Sequence, residues 1–320
     1  MRLGGYRALL APVGERLRKE LEDIDALLRH GEVLQAGRHV TRHVRVPSPD
    51  GAGEIDLVVK SFGRQPLAKD VFDRMFGTKA ARTFAAAAFL ESHGIGTIPP
   101  VACLEKWHGP RLASSHFVSL HLGPAICFTD RLSEVWRKSG DGSAFEPLLA
   151  LVASAIRRLH DAGCAHGDLG NQNIELLRGD GPDVFTGVAF LDLNRARFGR
   201  QMSVRDRAED LARIHLPLGL YEDFFRMYWG GEPPKGFMRA YRRLRFLFSL
   251  HGLTRPFRHP LREMRYRRHP ETAPAQAGYP ALVKASPDLR GSWFTDLRGR
   301  AISRGEVSSL PSGSLVYMGN

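Results

Sequence analysis

A His-Gly-Asp step opens the stretch H-G-D-L-G-N-Q-N-I, His166 to Ile174, and sets an acid, Asp168, five positions before an amide, Asn173. A second acid, Asp192, follows in V-A-F-L-D-L-N, near the end of an apolar run. These are the residue types that phosphoryl transfer needs. One carboxylate accepts the proton of the attacking hydroxyl, while an amide oxygen and a second carboxylate hold Mg²⁺ on nucleotide phosphates. Neither piece is specific alone, because His-Gly-Asp often only tightens a turn and an Asp and an Asn at this spacing also occur by chance. Their order carries more weight. A long apolar helix, Phe145 to His160, precedes the loop. Ile174 to Leu177 then reads as a strand, and Val188 to Leu193 as a second one that ends at the acid.

The rest of the chain supplies elements to position such a loop. Leu17, Leu21, Ile24 and Leu28 recur at helical spacing within a helix predicted over Leu9 to Leu28. Val33 to Val46 and Ile55 to Phe62 read as strands around a turn at Pro47 to Gly51. Thr78 to His93 is an Ala-rich helix stopped by Gly94, and Val101 to Trp107 and His116 to Leu122 are strand-like. Gly123-Pro124 breaks the pattern, and helices follow at Val204 to His215 and Tyr221 to Trp229. Strands first and helices later point to an α+β chain with a small β-rich N-terminal lobe and a larger helical C-terminal lobe. The expected boundaries are a helical extension over 1–30, the first lobe over 31–122, the second over 123–270 and an irregular tail over 271–320.

The loop resembles the catalytic loop of protein-kinase-like small-molecule kinases, with His-Gly-Asp where protein kinases carry His-Arg-Asp. It looks closest to the lipopolysaccharide core kinases, which phosphorylate Kdo or heptose sugars. E-S-H-G-I-G-T-I-P-P-V, Glu91 to Val101, is similar to that family's helix-to-strand step, and R-D-R-A-E-D-L-A-R, Arg205 to Arg213, to its post-catalytic helix. The resemblance covers roughly residues 30 to 250 and implies a protein-kinase-like fold using ATP and Mg²⁺. It makes Asp168 the catalytic carboxylate and gives Asn173 and Asp192 to the metal. It gives Lys60, at the end of I-D-L-V-V-K, to the α- and β-phosphates of ATP, although a lysine at a strand end can also simply face solvent. His166 is expected to orient the loop, and Asp210 to accept backbone N–H bonds from it. Gly167 replaces the arginine that reads a phosphorylated activation loop, so that mode of control is not expected. In D-L-N, Asn194 can still adopt the left-handed conformation that glycine supplies in protein kinases, so this departure from D-F-G is tolerable.

Two positions depart from the family pattern. Only Gly31 and Gly37 stand where a glycine-rich phosphate loop belongs. The strand lysine needs a mid-helix acid, yet Thr78 to His93 offers only Glu91, in its last turn. Either Glu91 pairs with Lys60, or another acid does, or the lysine is held differently.

Composition narrows the partners. The chain has 320 residues, 43% hydrophobic and 25% charged, with a net charge of +12, which is ordinary for a folded chain of one large or two small domains. Ten arginines against one acid between Gly236 and Pro270 carry +9 of that charge. This segment is either a solvated helix face or a surface that meets polyanions. Phe237, Tyr241, Leu244 and Phe248 share one helical face in it, with Arg239, Arg242 and Arg245 largely off that stripe. Three scattered cysteines, Cys103, Cys127 and Cys164, make no disulfide framework, so a reducing, cytoplasmic compartment is expected. No run in the first thirty residues suits a signal peptide, and no apolar stretch approaches the roughly 18 residues of a membrane span.

The leading expectation is therefore an ATP-dependent kinase acting on a sugar hydroxyl of a lipopolysaccharide core or related glycolipid. Peripheral contact with the inner face of the cytoplasmic membrane would run through the Arg-rich segment. A soluble aminoglycoside- or choline-type kinase shares the His-Gly-Asp loop, but such enzymes use acidic pockets for cationic substrates. A catalytically dead kinase-like binding module is the other alternative, and the presence of Lys60, Asp168, Asn173 and Asp192 speaks against it. No nucleic-acid partner is expected, since no recognised binding module is present.

Overall fold

The computed structural model describes residues 1–37, 39–51, 53–63, 65–139, 145–181, 183–216, 220–258, 260, 261, 264 and 268, together with short strands beyond residue 279. The chain divides into two units, Met1–Pro124 with Ala189–Phe198, and Ala125–Val188 with Gly199–Asn320.

The first unit begins with strands β1 (Arg2–Leu3) and β2 (Tyr6–Leu10), short helices α1 (Pro12–Arg16), α2 (Arg18–Leu21) and α3 (Ile24–His30), and strands β3 (Glu32–Gln35), β4 (His39–Pro47) and β5 (Glu54–Phe62). Helices α4 (Leu67–Phe76) and α5 (Lys79–Ser92) and strands β6 (Pro100–His108) and β7 (Arg111–Leu120) complete it. The strands form one seven-stranded sheet in the order β1-β2-β6-β7-β5-β4-β3. Leu17, between α1 and α2, with Leu21 of α2 and Ile24 of α3, packs with Leu3, Tyr6 and Ala8, and with Val44, Val46, Leu57 and Val59, in one buried cluster. The first thirty residues are therefore part of the sheet and its core, not a helical extension. Tyr6-Arg7-Ala8 alternates buried and exposed positions, a period-2 pattern that a β-strand requires. The helical spacing of Leu17 to Leu28 masks it.

Strand β5 is central, paired with β4 on one side and β7 on the other. Leu57 and Val59 turn into the core, fully buried. Alternation then sends Lys60 to the opposite face. Between β5 and α5 lies α4, a helix not assigned from the sequence.

His116, on β7, is buried, its Nδ1 2.8 Å from Ser61 Oγ. Burial pushes its imidazole down to about 4, against an ordinary value of about 6.5. The unfolded chain binds this proton below about pH 6.5, whereas the native protein refuses it until about pH 4. His116 thus contributes stability that is complete above pH 6.5 and is lost as pH falls towards 4, by roughly 2 kcal/mol at pH 5. Chemical denaturation at pH 7 and pH 5 should show the wild type losing more stability on acidification than His116→Gln. Equal losses would count against a neutral buried imidazole.

The second unit holds β8 (Ala125–Cys127), α6 (Phe128–Ser139), α7 (Glu146–Asp161), β9 (Ile174–Arg178) and β10 (Phe185–Phe190), whose end passes into the first unit. Then come α8 (Val204–Leu211), α9 (Tyr221–Trp229), α10 (Phe237–Leu253) and α11 (Arg255–Arg258). Strands β8, β9 and β10 form a three-stranded sheet. Helix α7 buries Leu149, Val152, Ile156 and Leu159 along one stripe, and α9 brings Phe224, Phe225 and Tyr228 into the same unit's core. Phe237 and Tyr241 of α10 stack in T-shaped contact on Phe225, with ring centroids 5.1 and 4.7 Å apart. The tail expected to be irregular contains β11 (Pro280–Leu282), β12 (Trp293–Thr295), β13 (Ala301–Ile302) and β14 (Leu315–Gly319), a four-stranded sheet in the order β11-β14-β12-β13. Its short, Pro- and Gly-interrupted runs carry little periodic signal.

Candidate active site

In the first unit, Lys60 Nζ donates to Asp192 Oδ1 at 2.7 Å, and Asn194 Nδ2 donates to the same oxygen at 2.7 Å. Asp192 has φ 55° and ψ 48°, and among the described residues no other non-glycine residue has positive φ. Backbone strain of this kind costs about 1–3 kcal/mol and persists where the surroundings over-determine it. The surroundings here are specific. The Phe190 N–H donates to the Gly96 carbonyl at 3.0 Å, and Thr97 Oγ1 donates to the Phe190 carbonyl at 3.1 Å. Arg82 Nε, from α5, donates to the Asn194 carbonyl at 3.1 Å, while its Nη1 donates to the Gly77 carbonyl at 2.6 Å and to Asp73 Oδ1 at 3.3 Å. The Gly-Thr of the helix-to-strand step thus clamps the strand before Asp192, and α5 clamps the turn after it.

Two expectations change here. The left-handed residue of D-L-N is Asp192 itself and not Asn194, because the turn begins two residues earlier and closes as a 3₁₀ turn over Leu193–Arg195. Glu91 is exposed in the last turn of α5, and the carboxylate that meets Lys60 belongs to Asp192, so Glu91 is not the partner of the lysine. Gly31 is packed against β4, where a Cβ would lie 2.6 Å from Val44 Cγ1. It therefore serves the fold at that position.

In the second unit, the loop after α7 is built around Asp210 of α8. Asp210 Oδ2 accepts the His166 N–H at 2.5 Å, and Oδ1 accepts the Gly167 N–H at 2.8 Å. His160 Nε2 lies 3.3 Å from Oδ2, and His160 Nδ1 lies 2.6 Å from Tyr228 Oη. Burial alone would raise the Asp210 carboxyl. The hydrogen bond from His160, the nearby His160 and His166 imidazoles and the Gly167 N–H outweigh it and hold the carboxyl below its ordinary value. Gly167 has φ +74°, a left-handed conformation natural to glycine, and this turns its N–H onto Asp210.

The next residues fix Asp168 through its backbone. Its N–H donates to His166 Nδ1 at 3.3 Å, and its carbonyl accepts the Gly170 N–H at 2.7 Å and Asn173 Nδ2 at 2.8 Å. The Asp168 side chain is partly exposed, and Arg213 Nη1 donates to its Oδ1 at 3.3 Å. Asn171 is tied to His215 by two hydrogen bonds, 2.6 Å to the carbonyl and 3.0 Å from the N–H.

The structure thus brings Lys60 and Asp192 together in one unit and Asp168 and Asn173 together in the other. Arg82, Asn171 and Arg213 were not foreseen. Arg213 closes the quoted Arg205–Arg213 stretch, but nothing in its spacing marks it as a neighbour of Asp168. Among the described residues no group of three or more His, Cys, Asp or Glu could hold a metal ion by itself.

A strand lysine on a strained aspartate and an Asp–Asn loop anchored on a buried carboxylate, in an α+β chain, define a protein-kinase-like phosphotransferase. A family model described as lipopolysaccharide kinase (Kdo/WaaP) matches residues 57–241, more than half of the chain, and the chain belongs to that family. Among solved structures it is similar to "WaaP in complex with acyl carrier protein", with TM-score 0.52 and 23% identity over 74% of this chain and 99% of that one. The Rio2 kinase ADP/Mg²⁺-phosphoaspartate complex from Chaetomium thermophilum matches with TM-score 0.40 and 15% identity over 79% of this chain and 76% of that one. No curated protein sequence matches the chain.

Proposed function

We propose that the chain transfers a phosphoryl group from ATP to a sugar hydroxyl of a lipopolysaccharide core or related glycolipid. The observation that carries the reading is the Asp168 loop, whose backbone is fixed on three sides while its carboxylate stays partly exposed. In this reading Asp168 accepts the acceptor hydroxyl's proton, and Lys60 binds the donor phosphates. Arg213, paired with Asp168, is a cation beside the proposed base.

The donor set suits Mg²⁺. Asp192 offers a hard carboxylate, and the bond from Asn173 Nδ2 to the Asp168 carbonyl turns the Asn173 amide oxygen the other way. Carboxylate and amide oxygens, together with water and phosphate oxygens, are the ligand types that Mg²⁺ takes. When bound, the ion would neutralise charge on the phosphate oxygens. Calorimetry with Mg-ATP should find metal-dependent binding lost in Asp192→Ala and reduced in Asn173→Ala. Unchanged affinity in both would place the metal elsewhere.

The acceptor class rests on the family and on charge. Arg239, Arg242 and Arg243 of α10 are exposed, while Phe237 and Tyr241 are buried in the unit's core. Arg245 differs from expectation. It is partly buried, its Nη1 donates to the Ile214 carbonyl at 2.8 Å, and its guanidinium lies 4.8 Å from the Tyr221 ring centre. Arg262, Arg265 and Arg267 lie outside the described residues. Exposed arginines suit phosphate groups already on a glycolipid. Among the described residues no helix is long and apolar enough to cross a membrane, and we place the protein at the cytoplasmic face as a peripheral enzyme. The deciding experiment measures ATP turnover against core glycolipids, free sugars, aminoglycosides and protein, with mass detection of product. Transfer to an aminoglycoside and not to glycolipid would overturn the reading.

A further inference from the structure

We propose that the outer face of α4 is a docking surface for an anionic lipid bilayer. The helix is inside out. An amphipathic helix normally buries its apolar stripe and exposes its charges. In α4 the large apolar residues Leu67, Val71, Phe72, Met75 and Phe76 are 47–73% exposed, while its two acids, Asp70 and Asp73, are 1% and 2% exposed. The acids are held from within the same unit. Arg111 Nε lies 3.2 Å from Asp70 Oδ2, and Asp73 receives Gln65 Nε2 at 2.6 Å and Arg82 Nη1 at 3.3 Å. Both negative charges are thereby removed from the outer surface. Arg74 stays exposed at the rim, its guanidinium 5.6 Å from the Trp107 ring centre and its Nη1 donating to the Gly109 carbonyl at 2.9 Å, and Lys69 is half-buried.

An acid-free apolar stripe with cations beside it, on a chain of net charge +12, matches an anionic membrane interface. There, apolar side chains enter the acyl boundary and basic ones meet headgroups. The same pattern disfavours a second copy of the chain, since a two-fold interface would set this cationic rim against itself. The inference rests on the glycolipid reading for its purpose, because an enzyme with a membrane-embedded acceptor must approach the bilayer. The docking itself requires only this face.

The test uses the full chain and vesicles that contain no glycolipid, either pure phosphatidylcholine or phosphatidylcholine with phosphatidylglycerol. The wild type should partition to the anionic vesicles, and Met75→Ser/Phe76→Ser should partition on the order of 10-fold less. That variant should keep the wild-type melting curve and the wild-type rate on detergent-dispersed lipopolysaccharide. In a second variant, Phe76→Trp, brominated lipid should quench the new indole's fluorescence. Absence of wild-type binding, unchanged partition of the double variant, no quenching, or a dimer that the substitutions convert to monomer would each overturn the proposal. Vesicle binding through α4 by an enzyme that phosphorylates no glycolipid would leave the docking surface standing and remove the acceptor reading alone.

Discussion

Asp168→Asn should lose phosphoryl transfer by on the order of 10²-fold or more while Mg-ATP binding stays near the wild-type level. The substitution preserves shape. The loop is held through Asp168's own N–H and carbonyl, by His166 Nδ1, the Gly170 N–H and Asn173 Nδ2, and none of these bonds uses the side chain. Asparagine keeps an oxygen that can accept from Arg213 but cannot take up a proton. Binding and catalysis are therefore expected to separate, with the loss falling on kcat. Single-turnover assays with the accepted glycolipid, alongside calorimetry with Mg-ATP, measure both. A folded Asp168→Asn protein with wild-type turnover would remove Asp168 as the base. A parallel loss of nucleotide affinity would mean that its charge serves binding.

The parts of this site that were legible in the sequence are those where chemistry and local pattern coincide. Asp168 and Asn173 sit in one short loop between a long apolar helix and a strand, and Asp192 ends a second apolar run. Lys60 was legible only through the family resemblance of I-D-L-V-V-K; in the structure the alternation of β5, with Leu57 and Val59 buried, sets the lysine on the opposite face. What was not legible depends on contacts distant in sequence. The partner of Lys60 is 132 residues away, whereas reasoning from the neighbouring helix pointed to Glu91. The left-handed turn falls on Asp192 through clamps from Gly96, Thr97 and Arg82, and no local propensity places an aspartate there. Helix α4 hides because its pattern is inverted. Asp70 and Asp73 look like solvent-facing charges until Arg111, Gln65 and Arg82 are seen to take them inward. Tyr6 to Leu10 became a strand because β6 offers it an edge, with Arg7 to Leu10 in register against Ala102 to Glu105. A helix-spaced leucine pattern alone could not reveal that.

Asp210→Ala should destabilise the protein by on the order of 3 kcal/mol and abolish transfer even at temperatures where the chain stays folded. The carboxylate is buried and serves three donors, the N–H groups of His166 and Gly167 and the ring of His160. Alanine leaves one buried backbone N–H, that of His166, and one partly buried one, that of Gly167, without this acceptor, and a buried one costs about 1–3 kcal/mol when unsatisfied. It also frees His166, which sets Asp168. The pH dependence gives an independent readout. The Asp210 carboxyl is held below its ordinary value, so its contribution is present above the unfolded value of about 3.9 and is lost as pH falls through the native one. Part of the wild type's acid destabilisation should therefore vanish in Asp210→Ala, narrowing the stability gap between the two proteins as pH drops from 6 towards 3. Asp210→Asn keeps one acceptor oxygen but sets an amide N–H₂ against a backbone donor, and should fall between wild type and Asp210→Ala in denaturation midpoint. Urea titrations at several pH values, with activity measured on the same samples, test both statements. If Asp210→Ala matches the wild type in midpoint and in turnover, the Asp168 loop is held by something other than this carboxylate.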